Sequence, residues 1–138
     1  MFRNEAEDWD SMRNRLAFSG NELTPAFAPQ FHHVFPRRFL APNESEDAKA
    51  GITSEQIEAL ANIAIIGASV NIRISNKNPL AYFAKYEIDA ERRRQQFIEG
   101  DVDQMIPEKY ASWLHARAKR LTEEANIFMN ELRPAKAA

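Results

Sequence analysis

From Pro107 onward the chain carries an apolar stripe at spacings of three, four or seven residues: Tyr110, Leu114, Leu121, Ala125, Phe128 and Leu132. That period is helical, and a helix with one apolar face needs a surface on which to bury it. The expected helix opens at Pro107 and stops before Pro134. Against it stand two segments that read as strands, Phe31–Phe35 (FHHVF) and Asn62–Ile66 (NIAII), rich in branched and aromatic residues. Pro36 closes the first and Gly67 the second. Thr53 with Gln56 resembles a capping box for a short helix through about Leu60. A second short helix is expected over Ser69–Ile74. Asn78-Pro79 supplies a cap and first-turn pair for a helix bearing Tyr82, Phe83 and Tyr86. Asp89 caps another helix, for which Gly100 is the expected stop. Residues 1–20 read as a polar, partly helical lead-in, 21–30 as extended loop and 41–51 as an acidic loop. The fold class is α+β: two short strands beside a short helix, wrapped by longer helices.

At 138 residues this is one domain. The absence of cysteine excludes disulfides and thiolate metal sites, leaving His, Asp, Glu and Asn as donors for a hard or borderline cation. No apolar run approaches the roughly 20 residues of a membrane span. The N-terminus, MFRNEAEDWD, is charged from its third residue and does not read as a signal peptide, so a cytoplasmic protein is expected. The net charge of −2 does not announce a nucleic-acid binder, since phosphate neutralisation usually requires a basic surplus. Local cations exist at Arg37, Arg38, Arg73 and Lys77, and in the triplet Arg92-Arg93-Arg94. Charge alone decides nothing.

Three features carry chemistry when taken in order: His32-His33-Val34-Phe35-Pro36, Asn62 in the second strand, and Asn71 nine residues later. A histidine with an unperturbed pKa of ~6.5 can accept a proton near neutrality. HHVFP resembles the "D/H-H-x-x-P" opening of the ββα-metal (HNH) nucleases, and Asn62 and Asn71 resemble the two asparagines of that pattern. The Asn62–Asn71 gap is similar to that in the HNH domain of CRISPR RNA-guided nucleases. Over nearly the whole chain, Glu7-Asp8-Trp9, FHHVFPRRFL, ANIAII, NIRISNKNP and HARAKRLTEEANIFMNEL resemble the C-terminal nuclease module of GmrSD-like prokaryotic restriction proteins.

This resemblance implies a DNA endonuclease of a phage-defence system. It implies a ββα-metal core over residues 31–77, a lead-in over 1–30, a helical cover over 78–133 and a tail over 134–138. It makes His33 the general base, His32 and Asn71 the ligands of Mg²⁺, Mn²⁺ or another transition ion, and Asn62 the amide that fixes the loop. Arg73 and Lys77 become weaker candidates for phosphate contacts, with Arg37 and Arg38 beside the histidines. The implied partners are DNA and, in a fuller protein, a ParB-like NTPase domain; a homodimer is open. One departure is Ile72, where relatives often carry Arg.

Plainer readings compete. Adjacent strand residues face apart, so His32-His33 alone would be one buried and one exposed histidine; the nuclease reading needs the strand to end or bulge there. Asn71 alone would more often be a cap, and Asn76 is its rival as ligand. The arginine triplet reads as a solvated face, His115 as structural or surface, and Trp9, Trp113, Tyr82, Phe83 and Tyr86 as core. A degenerate DNA-binding or assembly module and an RNA-cleaving nuclease remain the alternative functions.

Overall fold

Hydrogen bonding along the chain sets six helices around one two-stranded antiparallel sheet in the computed structural model, which describes residues 6–13, 16, 29–41 and 51–135. Among these residues the order is β1 (Pro29–His33), α1 (Arg37–Leu40), α2 (Ser54–Ile57), β2 (Ile63–Gly67), α3 (Ala68–Ile74), α4 (Pro79–Lys85), α5 (Ala90–Gln95) and α6 (Tyr110–Glu131). Short 3₁₀ turns lie at Leu60–Asn62, Val102–Gln104 and Pro107–Lys109. Residues 21–28 of the loop expected over 21–30, residues 42–50 of the loop expected over 41–51, and residues 136–138 of the tail expected over 134–138 lie outside the described residues. No helix among them is long and apolar enough to cross a membrane.

β1 and β2 pair from Pro29↔Gly67 to His33↔Ile63, and α3 starts directly after β2 and packs on both strands. β1 begins at Pro29, inside the stretch expected to be loop through Gln30, and β2 runs on through Gly67; one residue explains where β1 ends and β2 begins. β1 ends at His33 rather than Phe35: Val34 N–H still donates to the main-chain Asn62 O (2.8 Å), but Phe35 N–H goes to the Asn62 side-chain oxygen (2.9 Å). Asn62 itself sits in a 3₁₀ turn, so β2 begins one residue later than its branched run suggests. A side-chain amide has intercepted the groups that a longer ladder would use.

The caps follow the sequence closely. Thr53 and Gln56 form a reciprocal capping box, Asn78 accepts from Ala81 N–H with Pro79 at the first turn, and Asp89 accepts from Arg92 N–H. Two stops move inward. α2 ends at Ile57, not Leu60, and α5 ends at Gln95 rather than Gly100. Beyond α5, Gln96 turns its amide onto both main-chain groups of Ile65 (2.7 and 3.2 Å), and Phe97 adopts φ 57°. This side chain closes the free edge of β2.

α6 contradicts the simplest form of the stripe. Tyr110 is buried and Trp113 and Leu114 pack on the core, but Leu132 is exposed. Its most buried polar residue is Arg117, invisible to an apolar count. The Arg117 guanidinium donates to the carbonyls of Ala61, Ile63 and Gln96, tying α6 to the turn that carries Asn62. Burial lowers its pKa to about 10, which leaves it charged at neutral pH.

The arginine triplet is likewise not one solvated face. Arg92 is buried and donates to the carbonyls of Asp8, Asp10 and Glu87; Arg93 is half-buried; and Arg94 pairs with Glu91 at the surface. Asp8, also buried, accepts the N–H of Gly67 and of Trp9, each at 2.8 Å. Residues 8–10 are thereby fixed against the end of β2, with Trp9 placed in the core beside Phe35, Ile66, Ile74 and Tyr82.

Candidate functional site

His32 and His33 are the last two residues of β1 and follow the pleat. His32 is 3% exposed, its ring set edge-on against Trp9 (5.9 Å, 79°) and Tyr82 (5.6 Å, 78°). His33 is half-exposed. The strand ends at the pair without a bulge, since the pairing stays regular through His33↔Ile63. Both histidines nevertheless border one cleft of about 420 Å³, together with Arg37, Asn71, Ser75 and Asn76. Phe31 and Ile72, each 77% exposed, form apolar parts of the same wall.

α3 brings Asn71 to His32. Because this helix begins directly after Gly67, Asn71 falls in its first turn and faces the end of β1. His32 Nδ1 lies 2.9 Å from Asn71 Oδ1, a hydrogen bond with Nδ1–H as donor. Burial lowers the His32 pKa to about 4, more than the Asn71 contact raises it, so the ring is neutral near pH 7. Among the described residues its buried Nε2 has no hydrogen-bond partner. The two donor atoms suit one divalent cation. The 2.9 Å separation is that of an ordinary N–H···O hydrogen bond, and it is also short enough for one ion with bonds of about 2.1 Å to span both atoms. To take such an ion, His32 would have to carry its proton on Nε2 and free the Nδ1 lone pair, and the ion would replace the hydrogen bond to Asn71 Oδ1. Among the described residues no three His, Asp or Glu side chains gather as a ready-made cage. Any cation here would depend on Asn71 and on non-protein ligands.

Asn62 lies in the 3₁₀ turn before β2 rather than in the strand where the sequence reading put it. Its Nδ2 donates to Phe35 O (3.1 Å) and Ile57 O (2.9 Å), while its Oδ1 accepts from Phe35 N–H. The fully buried amide thus clamps the segment two residues past His33 to the end of α2. Tyr82 adds a 2.5 Å hydrogen bond from its hydroxyl to Val34 O.

The cationic candidates divide. Arg37 borders the cleft, but its Nη1 is 2.6 Å from Glu58 Oε1. Arg38 is exposed on α1 and does not line the cleft. Arg73 and Lys77 are also outside its lining: Arg73 Nε donates to Ser69 O, and Lys77 Nζ donates to Arg73 O (2.7 Å), capping the end of α3. Asn76, the rival ligand, borders the cleft; His115 is exposed on α6.

Sequence reasoning missed Glu58. It follows α2, and its Oε2 is 3.0 Å from His33 Nε2. The hydrogen bond from His33 first, and after it the hydrogen bond and charge of Arg37, hold its carboxyl below the ordinary range. No spacing rule joins residues 25 apart, so nothing in the sequence marked it. In comparisons with known proteins, no family model, no curated protein and no solved structure matches this chain.

Proposed function

We propose that the cleft is the active site of a metal-dependent DNA endonuclease, with β1, β2 and α3 forming a ββα-metal, HNH-type core. The observation that carries this reading is the 2.9 Å approach of His32 Nδ1 to Asn71 Oδ1 in a cleft that His33 also borders. It is supported by Asn62, whose amide has the loop-fixing part that the HNH resemblance implies.

His32 and Asn71 would hold one Mg²⁺ or Mn²⁺ ion, and the imidazole donor favours Mn²⁺ or another transition ion over an all-oxygen preference. Bound there, the ion would neutralise charge on the scissile phosphate and the departing 3′ oxygen. His33 accepts a proton from water, which attacks phosphorus in line with the 3′ oxygen. The P–O3′ bond breaks, leaving 5′-phosphate and 3′-hydroxyl ends. Asn62 touches no substrate and acts by keeping the histidine pair in place. With a net charge of −2 the domain has little general attraction for phosphate. A ParB-like NTPase domain in a fuller restriction protein would supply DNA recognition.

The test is nicking of supercoiled plasmid with Mg²⁺ or Mn²⁺. Wild type should nick, and His33→Ala and Asn71→Ala should lose roughly 100-fold or more of the rate. Equal rates in all three proteins would refute the assignment.

A further inference from the structure

We propose that Glu58 is the positioning residue for His33, selecting which ring nitrogen takes the proton. The proposal rests on the nuclease reading of the cleft for its consequence, though not for its geometry. A neutral imidazole carries one N–H and one lone pair, and an ionised carboxylate can only accept. Glu58 Oε2, 3.0 Å from His33 Nε2, therefore requires the proton on Nε2 and leaves the lone pair on Nδ1. Among the described residues Nδ1 has no hydrogen-bond partner, and the ring borders the cleft.

The carboxylate is itself held. Arg37 Nη1 donates to Oε1 at 2.6 Å, so Oε1 is engaged and Oε2 remains for the histidine. Three elements meet in this relay: Arg37 opens α1, His33 ends β1, and Glu58 caps α2 with its own N–H bonded to Ser54 O and Gln56 O. Asn62 joins the same parts from beneath by bonding Ile57 O, the residue before Glu58. The arrangement follows the logic of a carboxylate that orients a histidine base through the nitrogen that does not react. Arg37 then serves the relay rather than the substrate phosphate.

An exposed ion pair contributes little to stability, and Glu58 and Arg37 side chains are 49% and 56% exposed. Removing the carboxylate should thus leave the fold intact. The experiment uses the full chain as wild type, Glu58→Ala, Glu58→Gln and Arg37→Ala. Thermal melts serve as the fold control. The His33 tautomer is read by long-range ¹H–¹⁵N correlation at about pH 8, above the ordinary imidazole range. Plasmid nicking supplies kcat and KM separately.

The expected result is a single Nε2–H tautomer in wild type and a mixture in Glu58→Ala. With it, kcat should fall roughly 10- to 100-fold at nearly unchanged KM. Glu58→Gln keeps an acceptor oxygen of the same reach and should restore part of both readouts. Arg37→Ala should loosen the tautomer less than Glu58→Ala does. A mixed tautomer in wild type, or the same tautomer and kcat in wild type and Glu58→Ala, would overturn the proposal. An inactive wild type with a tautomer that depends on Glu58 would instead refute the nuclease reading and support the positioning.

Discussion

Removing the Asn62 amide should cost this domain a large share of its stability. In Asn62→Ala, Phe35 N–H, Phe35 O and Ile57 O all lose their side-chain partner at a site with no solvent access. A buried main-chain group left unpaired costs about 1–3 kcal/mol, so three give roughly 3–6 kcal/mol after partial relaxation. Domains of this kind have about 5–15 kcal/mol in total. At roughly 3–5 °C per kcal/mol, the melting temperature should drop by ~10–30 °C. Asn62→Asp is the sharper control. It keeps an acceptor for Phe35 N–H but sets a carboxylate oxygen against two carbonyls, so it should not rescue. Urea titration at constant slope measures both variants. A loss below about 1 kcal/mol in Asn62→Ala would show that the amide does not hold the segment after the histidine pair. The reasoning that gives Asn62 its part in aiming His33 would then fail.

Stability should also fall as pH drops from about 6.5 towards 4. The unfolded chain binds a proton at His32 near the ordinary imidazole value, whereas the folded ring resists it until about 4, so stability rises with pH across that window. The His32 contribution is about 3 kcal/mol between the two limits. Asp8, whose carboxyl burial pushes up, opposes it, so the test is the difference in urea midpoints between wild type and His32→Gln at several pH values. An identical pH dependence in both would contradict the assignment. Ser75, at φ 50° and ψ −126° on the cleft wall, occupies backbone that favours glycine. Ser75→Gly should stabilise by about 1 kcal/mol net of glycine's chain entropy and retain nicking, whereas Ser75→Ala should show no gain.

What the sequence reveals about this chain divides by distance. Caps at Thr53, Asn78 and Asp89 are local hydrogen bonds between residues three apart, and they form as read. The short helix through Ile74 follows β2 as its position after Gly67 implied. Boundaries shift wherever a distant side chain competes for the backbone, as Asn62 does for Phe35 and Gln96 for Ile65. Arg92 reads as part of a solvated face and nothing in the sequence singles out Arg117, yet each donates to carbonyls, some of them more than 50 residues away. No periodicity encodes such partners. The candidate site shows the same division. The ordered His-Asn-Asn pattern pointed to residues that the fold brings together, with His32 and Asn71 in contact across 39 residues. Glu58 and the engagement of Arg37 arise only from the meeting of α1, α2 and β1. Of the two forms expected at the histidine pair, an end or a bulge, the strand takes the first: it stops at His33 with regular pairing, and both rings border one cleft.

The division of labour between the adjacent histidines is the central claim, and pulsed electron paramagnetic resonance on the Mn²⁺-loaded protein tests it directly. The account predicts one directly coordinated imidazole nitrogen in wild type. That coupling should vanish in His32→Ala, weaken with lost Mn²⁺ affinity in Asn71→Ala, and persist in His33→Ala although nicking is abolished. A coupling that survives His32→Ala, or one that disappears with His33→Ala, would contradict it.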